Sequence, residues 1–297
     1  MPVDDITVIG PGRLGGALAL ALSRSGSNIS QIVYRSRSGA KELASKLVPP
    51  PSVVSVGNIV DVKSSLVLIT VPDDEIVNTV VAVSNSLANV RAVFHTSGSL
   101  SSEILAPFRS RRCSVASLHP LASISNWTEG IERFKNAYFC LEGDSQAVRI
   151  GKKLVSQLGG HSFTIASEFK PLYHAAALTA AGHVTALFDI AIEFMVKAGV
   201  KRSQARKMLQ PLLFSVAQNL ASQDTPAALT GTYARADEST MRRHLSALRE
   251  NANKDETAIY IDLALRSIDL AESTAIDCSK LESMRKTLMV AKRKIEC

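Results

Sequence analysis

Metal-binding and disulfide chemistry are the first things this sequence withholds. Its four cysteines, Cys113, Cys140, Cys278 and Cys297, are widely scattered, with no C-x-x-C and no Cys/His metal spacing. A disulfide scaffold and a metal centre are thereby excluded, and free thiols in a reducing compartment are expected. Long hydrophobic runs are missing too. The longest weakly polar stretch, Ala175 to Phe188, is interrupted by Thr179, Gly182, His183 and Thr185, short of the ~20 apolar residues that span a bilayer. No basic or apolar leader precedes the first apolar run, so a cytoplasmic protein without membrane contact is expected. The net charge is +7, with basic groups at Arg109 to Arg112, Arg242-Arg243 and Lys292 to Lys294. Aromatic interleaving and nucleic-acid motifs are absent, so nucleic acid is not an expected partner. These cations read as solvated surface, or in part as a cleft for an anionic ligand. There is no internal repeat or low-complexity tract. What is present, 297 residues with 46% hydrophobic and 21% charged, suffices for a good core and suggests two domains.

The most informative stretch is Ile6 to Gly26. Ile6-Thr7-Val8-Ile9 is a short apolar run between Asp5 and Gly10, the pattern of a fully buried parallel strand. Gly10-Pro11-Gly12-Arg13-Leu14-Gly15 follows, a G-x-G-x-x-G. Leu14, Leu18, Ala21 and Leu22 then recur at helical spacing until Gly26. Gly10 permits the turn out of the strand, Gly12 lets a pyrophosphate approach the backbone, and Gly15 lets the helix pack close. The helix start offers unpaired N–H groups and partial positive charge. The strand–turn–helix context predicts dinucleotide binding through Gly10, Gly12, Arg13, Leu14 and Gly15.

Further strands are expected at 29–34, 53–56, 65–71, 91–95, 113–118, 138–141 and 162–165, alternating with helices. That alternation predicts an α/β fold with a doubly wound, mostly parallel sheet. After Ala166 only helical periodicity continues, near 168–198, 202–222, 237–251, 254–273 and 279–295. The expected organisation is a dinucleotide-binding domain over 1–166 and an all-helical second domain over 167–297.

In dinucleotide folds an acid closing the second strand takes the ribose hydroxyls of NAD and repels a 2′-phosphate. Here that strand ends Tyr34-Arg35-Ser36-Arg37-Ser38, with no acid before Glu42. Arg35, Ser36 and Arg37 suit a phosphate, so NADP is expected over NAD. Solvated loop arginines are the alternative.

Ligands of an open parallel sheet bind beyond the carboxyl ends of the strands. Three segments arrive there: Val71-Pro72-Asp73, His95 to Gly98 and Leu118 to Pro120. Val71, Pro72 and Asp73 are expected to line the ribose–nicotinamide region, with Asp73 read as a helix cap in preference to a catalyst. Ser97 and His119 could hold a carbonyl or imine, or move a proton; a histidine merely orienting the turn before Pro120 competes. Lys170 and His174, four apart ahead of an alanine-rich helix, form a second candidate pair, although Pro171 weakens the spacing argument. Thr230 and Arg235 form a third cluster, which reads equally as an ion pair with Asp237 or as a contact to a carboxylate-bearing ligand.

Taken together, IGPGRLG at 9–15, VPDDEI at 71–76, HTSG at 95–98, SLHP at 117–120, KPLYHAAA at 170–177 and ALTGTYARADESTMRRHL at 228–245 resemble a known family. Its members pair a Rossmann-like NADP-binding domain with a helical C-terminal domain of unknown function, and are described as short-chain oxidoreductases or dehydrogenases. The resemblance covers nearly the whole chain. It departs at Ala236, where members usually have Gly, and near Gly182, where Asn is common. More distantly the layout is similar to pyrroline-5-carboxylate reductase, ketopantoate reductase and the β-hydroxyacid dehydrogenases. In the last group a Lys and an Asn four residues on do acid–base and positioning work; Lys170 matches the first and His174 replaces the second. Dimerisation through the helical domain is implied as well.

The expected activity is NADP-dependent hydride transfer to or from a small carbonyl, alcohol or imine substrate, anionic or neutral, in an interdomain cleft. Lys170, His174, His119 and Ser97 are the catalytic candidates. The rival is a non-catalytic NADP-binding sensor or assembly protein.

Overall fold

Residues 4–35, 39–59, 61–62, 64–274 and 277–296 are described by a computed structural model. Eight strands form one sheet: β1 (Asp5–Ile9), β2 (Asn28–Tyr34), β3 (Ser52–Ser55), β4 (Leu66–Ile69), β5 (Ala92–His95), β6 (Ser114–Pro120), β7 (Tyr138–Gly143) and β8 (His161–Thr164). Their spatial order is β3-β2-β1-β4-β5-β6-β7-β8. All neighbours pair in parallel except β6 and β7. The order reverses between β1 and β4, which opens a crevice at the carboxyl ends of those strands.

Period-two alternation explains how both faces are covered. Ile6, Val8, Leu66, Leu68 and Phe94 face α1 (Arg13–Arg24), α2 (Ala40–Ser45) and α5 (Ser145–Gln157). Ile9, Val67, Ile69 and Val93 face α3 (Ile76–Val83) and a 3₁₀ segment, Ser102–Arg111. The central strands therefore carry apolar groups on both sides, which is why they read as continuous runs. Two details escape periodicity. The β5–β6 connection is 3₁₀, with Pro107 inside it, and the β6–β7 connection contains a short α4 (Trp127–Gly130).

By packing, the chain divides into units 1–182 and 183–297. The composition change after Ala166 thus precedes the division, because α6 (Lys170–Leu178) packs with the sheet unit. A π turn, Thr179–His183, ends that segment. The second unit holds α7 (Val184–Lys197), α8 (Arg202–Ser222), α9 (Thr225–Ala228), α10 (Glu238–Asn251), α11 (Lys254–Glu272) and α12 (Cys278–Glu296). Its core is Met241, Ile261, Ile268, Met284, Leu288 and neighbours on α10, α11 and α12.

The helical run Ser167–Lys197 is, by length and composition, long and apolar enough to cross a membrane. No uninterrupted apolar run showed this, because helix length counts polar interruptions that a run does not. Its first turns contribute the wholly buried Lys170 to the sheet unit, a place that a lipid-embedded helix would forfeit.

Candidate active site

The glycine turn behaves as its spacing predicts. Gly10 has φ +93°, a conformation that favours glycine. A methyl at Gly15 would collide with the Thr70 hydroxyl and the Gly10 carbonyl, so this glycine serves helix–strand packing. Gly12 differs: a methyl there would meet nothing within 4 Å. Gly12 caps α1 without a side-chain bond, and the first turn holds no acid. Helix α1 therefore begins with amides that no N-cap side chain covers.

Three pockets lie in succession along the carboxyl ends of the strands. The first, about 470 Å³, is lined by Gly10, Gly12, Arg35, Val71, Pro72 and Glu75 among others. Ser36 and Arg37, expected beside Arg35, lie outside the described residues. Arg35 forms an ion pair with Glu75. The second, about 400 Å³, runs from Arg13 and Leu14 past Asp73, Ser97 and Gly98 to His119 and His174. The third, about 520 Å³, continues from His119 and His174 along the small side chains of α6 to Gly182. Both imidazoles border both of these last two pockets.

Their placement is held tightly. His119 Nδ1 lies 2.7 Å from the Tyr173 hydroxyl, and the rings of His119 and His174 meet edge to face at 5.7 Å. Gly98 lies beneath them: a methyl there would come within 2.5 Å of His174 Cδ2 and 2.8 Å of His119 Nε2. Burial, reinforced by the Lys170 cation and by His174, pushes the His119 pKa down to about 4. His119 is therefore neutral near pH 7. Burial holds the Tyr173 hydroxyl above the usual phenol range, so it stays protonated.

Ser97 is a scaffold rather than a free hydroxyl. Its Oγ donates to Asp73 Oδ2 at 2.7 Å and accepts the Ser99 and Leu100 amides. Asp73 also accepts from Ser99 Oγ at 2.9 Å, so this carboxylate fastens the loop after β5. The expectation that Ser97 holds substrate through its hydroxyl does not match these bonds.

Lys170 departs furthest from its expected setting. It is fully buried and absent from the pocket walls. Its Nζ donates to the Ser97 carbonyl at 3.0 Å and to the Ser117 hydroxyl, and the Ser117 hydroxyl donates to the same carbonyl. Burial lowers its pKa. The lysine ties α6 to the ends of β5 and β6 from behind the pocket. Pro171 permits this by placing Lys170 at the first turn of α6.

In the second unit, Thr230 and Arg235 are exposed. Asp237 does not pair with Arg235 among the described contacts; it caps α10 through the Thr240 amide. Ala236 has φ +50°, the left-handed region.

Sequence reasoning missed three groups. Tyr173 and Glu75 lie inside quoted motifs without a role of their own, and buried Glu142 accepts from Ser101 and Ser102. A polar side chain one position from His174 was the available signal for Tyr173. For Glu75 and Glu142 the partners are remote in sequence, and local pattern carries no signal.

Residues 2–120 match the model of a Rossmann-like domain, and residues 137–267 match a domain of unknown function (DUF2520). No curated protein matches the chain by sequence. Among solved structures, a protein of Thermotoga maritima is 25% identical with a TM-score of 0.71, covering 91% of this chain and 99% of its own. A proposed NADP oxidoreductase of Bacteroides fragilis is 20% identical with a TM-score of 0.69, covering 91% and 97%. Pyrroline carboxylate reductase of Plasmodium falciparum, solved with NADP bound, is 12% identical with a TM-score of 0.57, covering 96% and 98%. The likeness to the last two is one of fold. The chain thus joins a Rossmann-like domain to a domain of unknown function (DUF2520).

Proposed function

We propose that this protein is an NADP-dependent oxidoreductase that moves a hydride between nicotinamide and a small carbonyl, alcohol or imine carbon. The observation that carries the reading is the run of pockets from Arg35, past the open start of α1 at Gly12, to the paired imidazoles of His119 and His174. The structural likeness to an NADP-bound pyrroline carboxylate reductase supports the same cofactor and chemistry. The residues fit the dinucleotide. Amides of Arg13, Leu14 and Gly15 would hold the diphosphate, with bare Gly12 letting it approach while its own amide donates to the Gly10 carbonyl; Arg35 would meet the 2′-phosphate, and Val71, Pro72 and Asp73 would border the nicotinamide ribose.

The cofactor supplies the hydride; protein side chains manage position and proton. A protonated Tyr173 hydroxyl donating to His119 Nδ1 puts the imidazole proton on Nε2, the atom that faces Gly98. A neutral Nε2–H there hydrogen-bonds to the oxygen or nitrogen that gains charge as hydride reaches the carbon. His174, beside His119 over Gly98, orients the substrate. Lys170 is a positioning residue, fixing the Ser97 carbonyl and hence the Gly98 floor.

The test follows NADPH absorbance, lost with small carbonyls and cyclic imines and gained from NADP+ with 2-hydroxy acids. Turnover that falls at least a hundredfold in His119→Asn, with NADPH affinity retained, is expected. Tight NADPH binding without turnover across the panel would defeat the enzyme reading and favour a sensor.

The same reading includes a homodimer through the helical unit and a cytoplasmic setting. Met208, Leu212, Val216 and Leu220 recur four apart on α8 and are 41–63% exposed, a stripe that isolated chains rarely leave in water. Cys113, Cys140 and Cys278 are free thiols, as in a reducing compartment. Sedimentation tests the dimer: Leu212→Glu with Val216→Glu is expected to yield monomer, and an unchanged mass would dismiss this face.

A further inference from the structure

The end of β2 lacks an acid in sequence, yet the pocket there does not. Glu75 supplies one from across the pocket, closing the 3₁₀ turn Asp73–Glu75 that follows β4. Among the described residues lining this pocket, Arg35 is the single cation and Glu75 the single carboxylate, and the two are paired. They differ in freedom. Glu75 is anchored, its amide donating to the Pro72 carbonyl at 2.9 Å and its side chain 27% exposed; the Arg35 side chain is 70% exposed. The arginine is therefore the partner that can move.

We propose, resting on the NADP reading above, that Glu75 is a specificity-determining residue: a built-in competitor for Arg35 that sets the ratio of NADP(H) to NAD(H) affinity. A 2′-phosphate carries nearly two negative charges and needs Arg35. To gain it, the phosphate must draw the guanidinium from Glu75 and then sit near a carboxylate that repels it. A ribose with a free 2′-hydroxyl makes no such demand. Its hydroxyl donates to Glu75 while Arg35 stays paired, which is the service an acid at the end of β2 performs elsewhere. The pocket thus keeps a seat for either nucleotide, and the ion pair lowers the preference that Arg35 alone would impose.

The test is titration calorimetry of the full chain at fixed ionic strength with NADPH, NADH, 2′,5′-ADP and 5′-AMP. Glu75→Gln removes the charge and keeps the shape. It is expected to tighten NADPH and 2′,5′-ADP by about tenfold, while NADH and 5′-AMP stay within about threefold or weaken. Asp74→Asn, which alters a neighbouring acid outside the pocket wall, is expected to change neither. Retained NADH binding certifies that the variants are folded. If Glu75→Gln shifts both cofactors equally, or leaves NADPH unchanged while the wild type binds it, the competitor role is overturned and the cofactor reading stands. If the wild type binds none of the four probes, the cofactor reading falls and takes this inference with it.

Discussion

The Tyr173 hydroxyl, on the first turn of α6, lies 2.7 Å from Nδ1 of His119 at the end of β6. Two elements remote in sequence are thereby locked at the atom that decides which imidazole nitrogen carries the proton. Tyr173→Phe removes the partner and keeps the ring that packs on His119 and Phe163. With Nδ1 unpartnered in a mostly buried place, the outward tautomer is no longer enforced. The expected result is a fall in kcat of about tenfold to a hundredfold with NADPH affinity unchanged. An unaltered kcat would remove Tyr173 from the proton-handling machinery.

Lys170 offers a separate test, because it acts through other groups. Its cation helps to depress the pKa of both His95 and His119. Lys170→Met should therefore raise the His119 pKa, a direction visible by NMR titration of the ring protons. It also strips the Ser97 carbonyl and Ser117 hydroxyl of a buried donor, a change that costs about 1–3 kcal/mol of stability. If the ring titrates as in the wild type, the lysine has no electrostatic hold on the site.

The glycines of the first turn separate packing from binding. Gly15→Ala forces a methyl into the Thr70 side chain and the Gly10 backbone, and the expected loss is about 1–3 kcal/mol in urea unfolding. Gly12→Ala meets no atom within 4 Å, and its φ of −76° suits alanine. Its stability should stay within about 0.5 kcal/mol of the wild type, while NADPH binding weakens at least tenfold because the methyl occupies the diphosphate's approach. Equal behaviour of the two variants would contradict the division.

These three cases show what the chain discloses and what it hides. β4 and β5 are legible because strands buried on both faces must be apolar throughout, and Gly10 to Gly15 because each glycine has a steric duty. His119 and His174 were legible as candidates, since the ends of parallel strands and the start of the next helix converge in any doubly wound sheet. The Lys170 environment was not: its partners, the Ser97 carbonyl and Ser117 hydroxyl, come from the loop after β5 and from β6. A spacing argument sees the lysine's own helix and nothing of the pocket wall behind it. Glu75 fails for the same reason, being forty positions from the arginine it pairs with. A run of acids after Pro72 satisfies the local rule for helix starts and so masks its third member. Pro107 and the 3₁₀ turns around it carry no period to detect.

His95 provides the last prediction, from its place under the loop after β5. It is fully buried, and its Nδ1 accepts the Ser97 amide at 3.1 Å. Burial, with the nearby Lys170 cation, lowers its pKa from 6.5 to about 4. Between those values the unfolded chain holds a proton that the native protein refuses. The unfolded state then binds more protons, so stability falls as pH falls through this window and is independent of this group above it. At pH 5 the loss from His95 is about 2 kcal/mol relative to pH 7.5. His119, depressed to about 4 as well, adds to the same slope with the same sign. His95→Asn keeps an acceptor for the Ser97 amide and removes the titration. Urea unfolding at pH 7.5 and pH 5.0 should show the variant losing about 2 kcal/mol less than the wild type on acidification, whatever its stability at neutral pH. Identical losses in the two proteins would mean that His95 takes up its proton in the native state as readily as in the unfolded chain, and that burial at this position imposes no electrostatic cost.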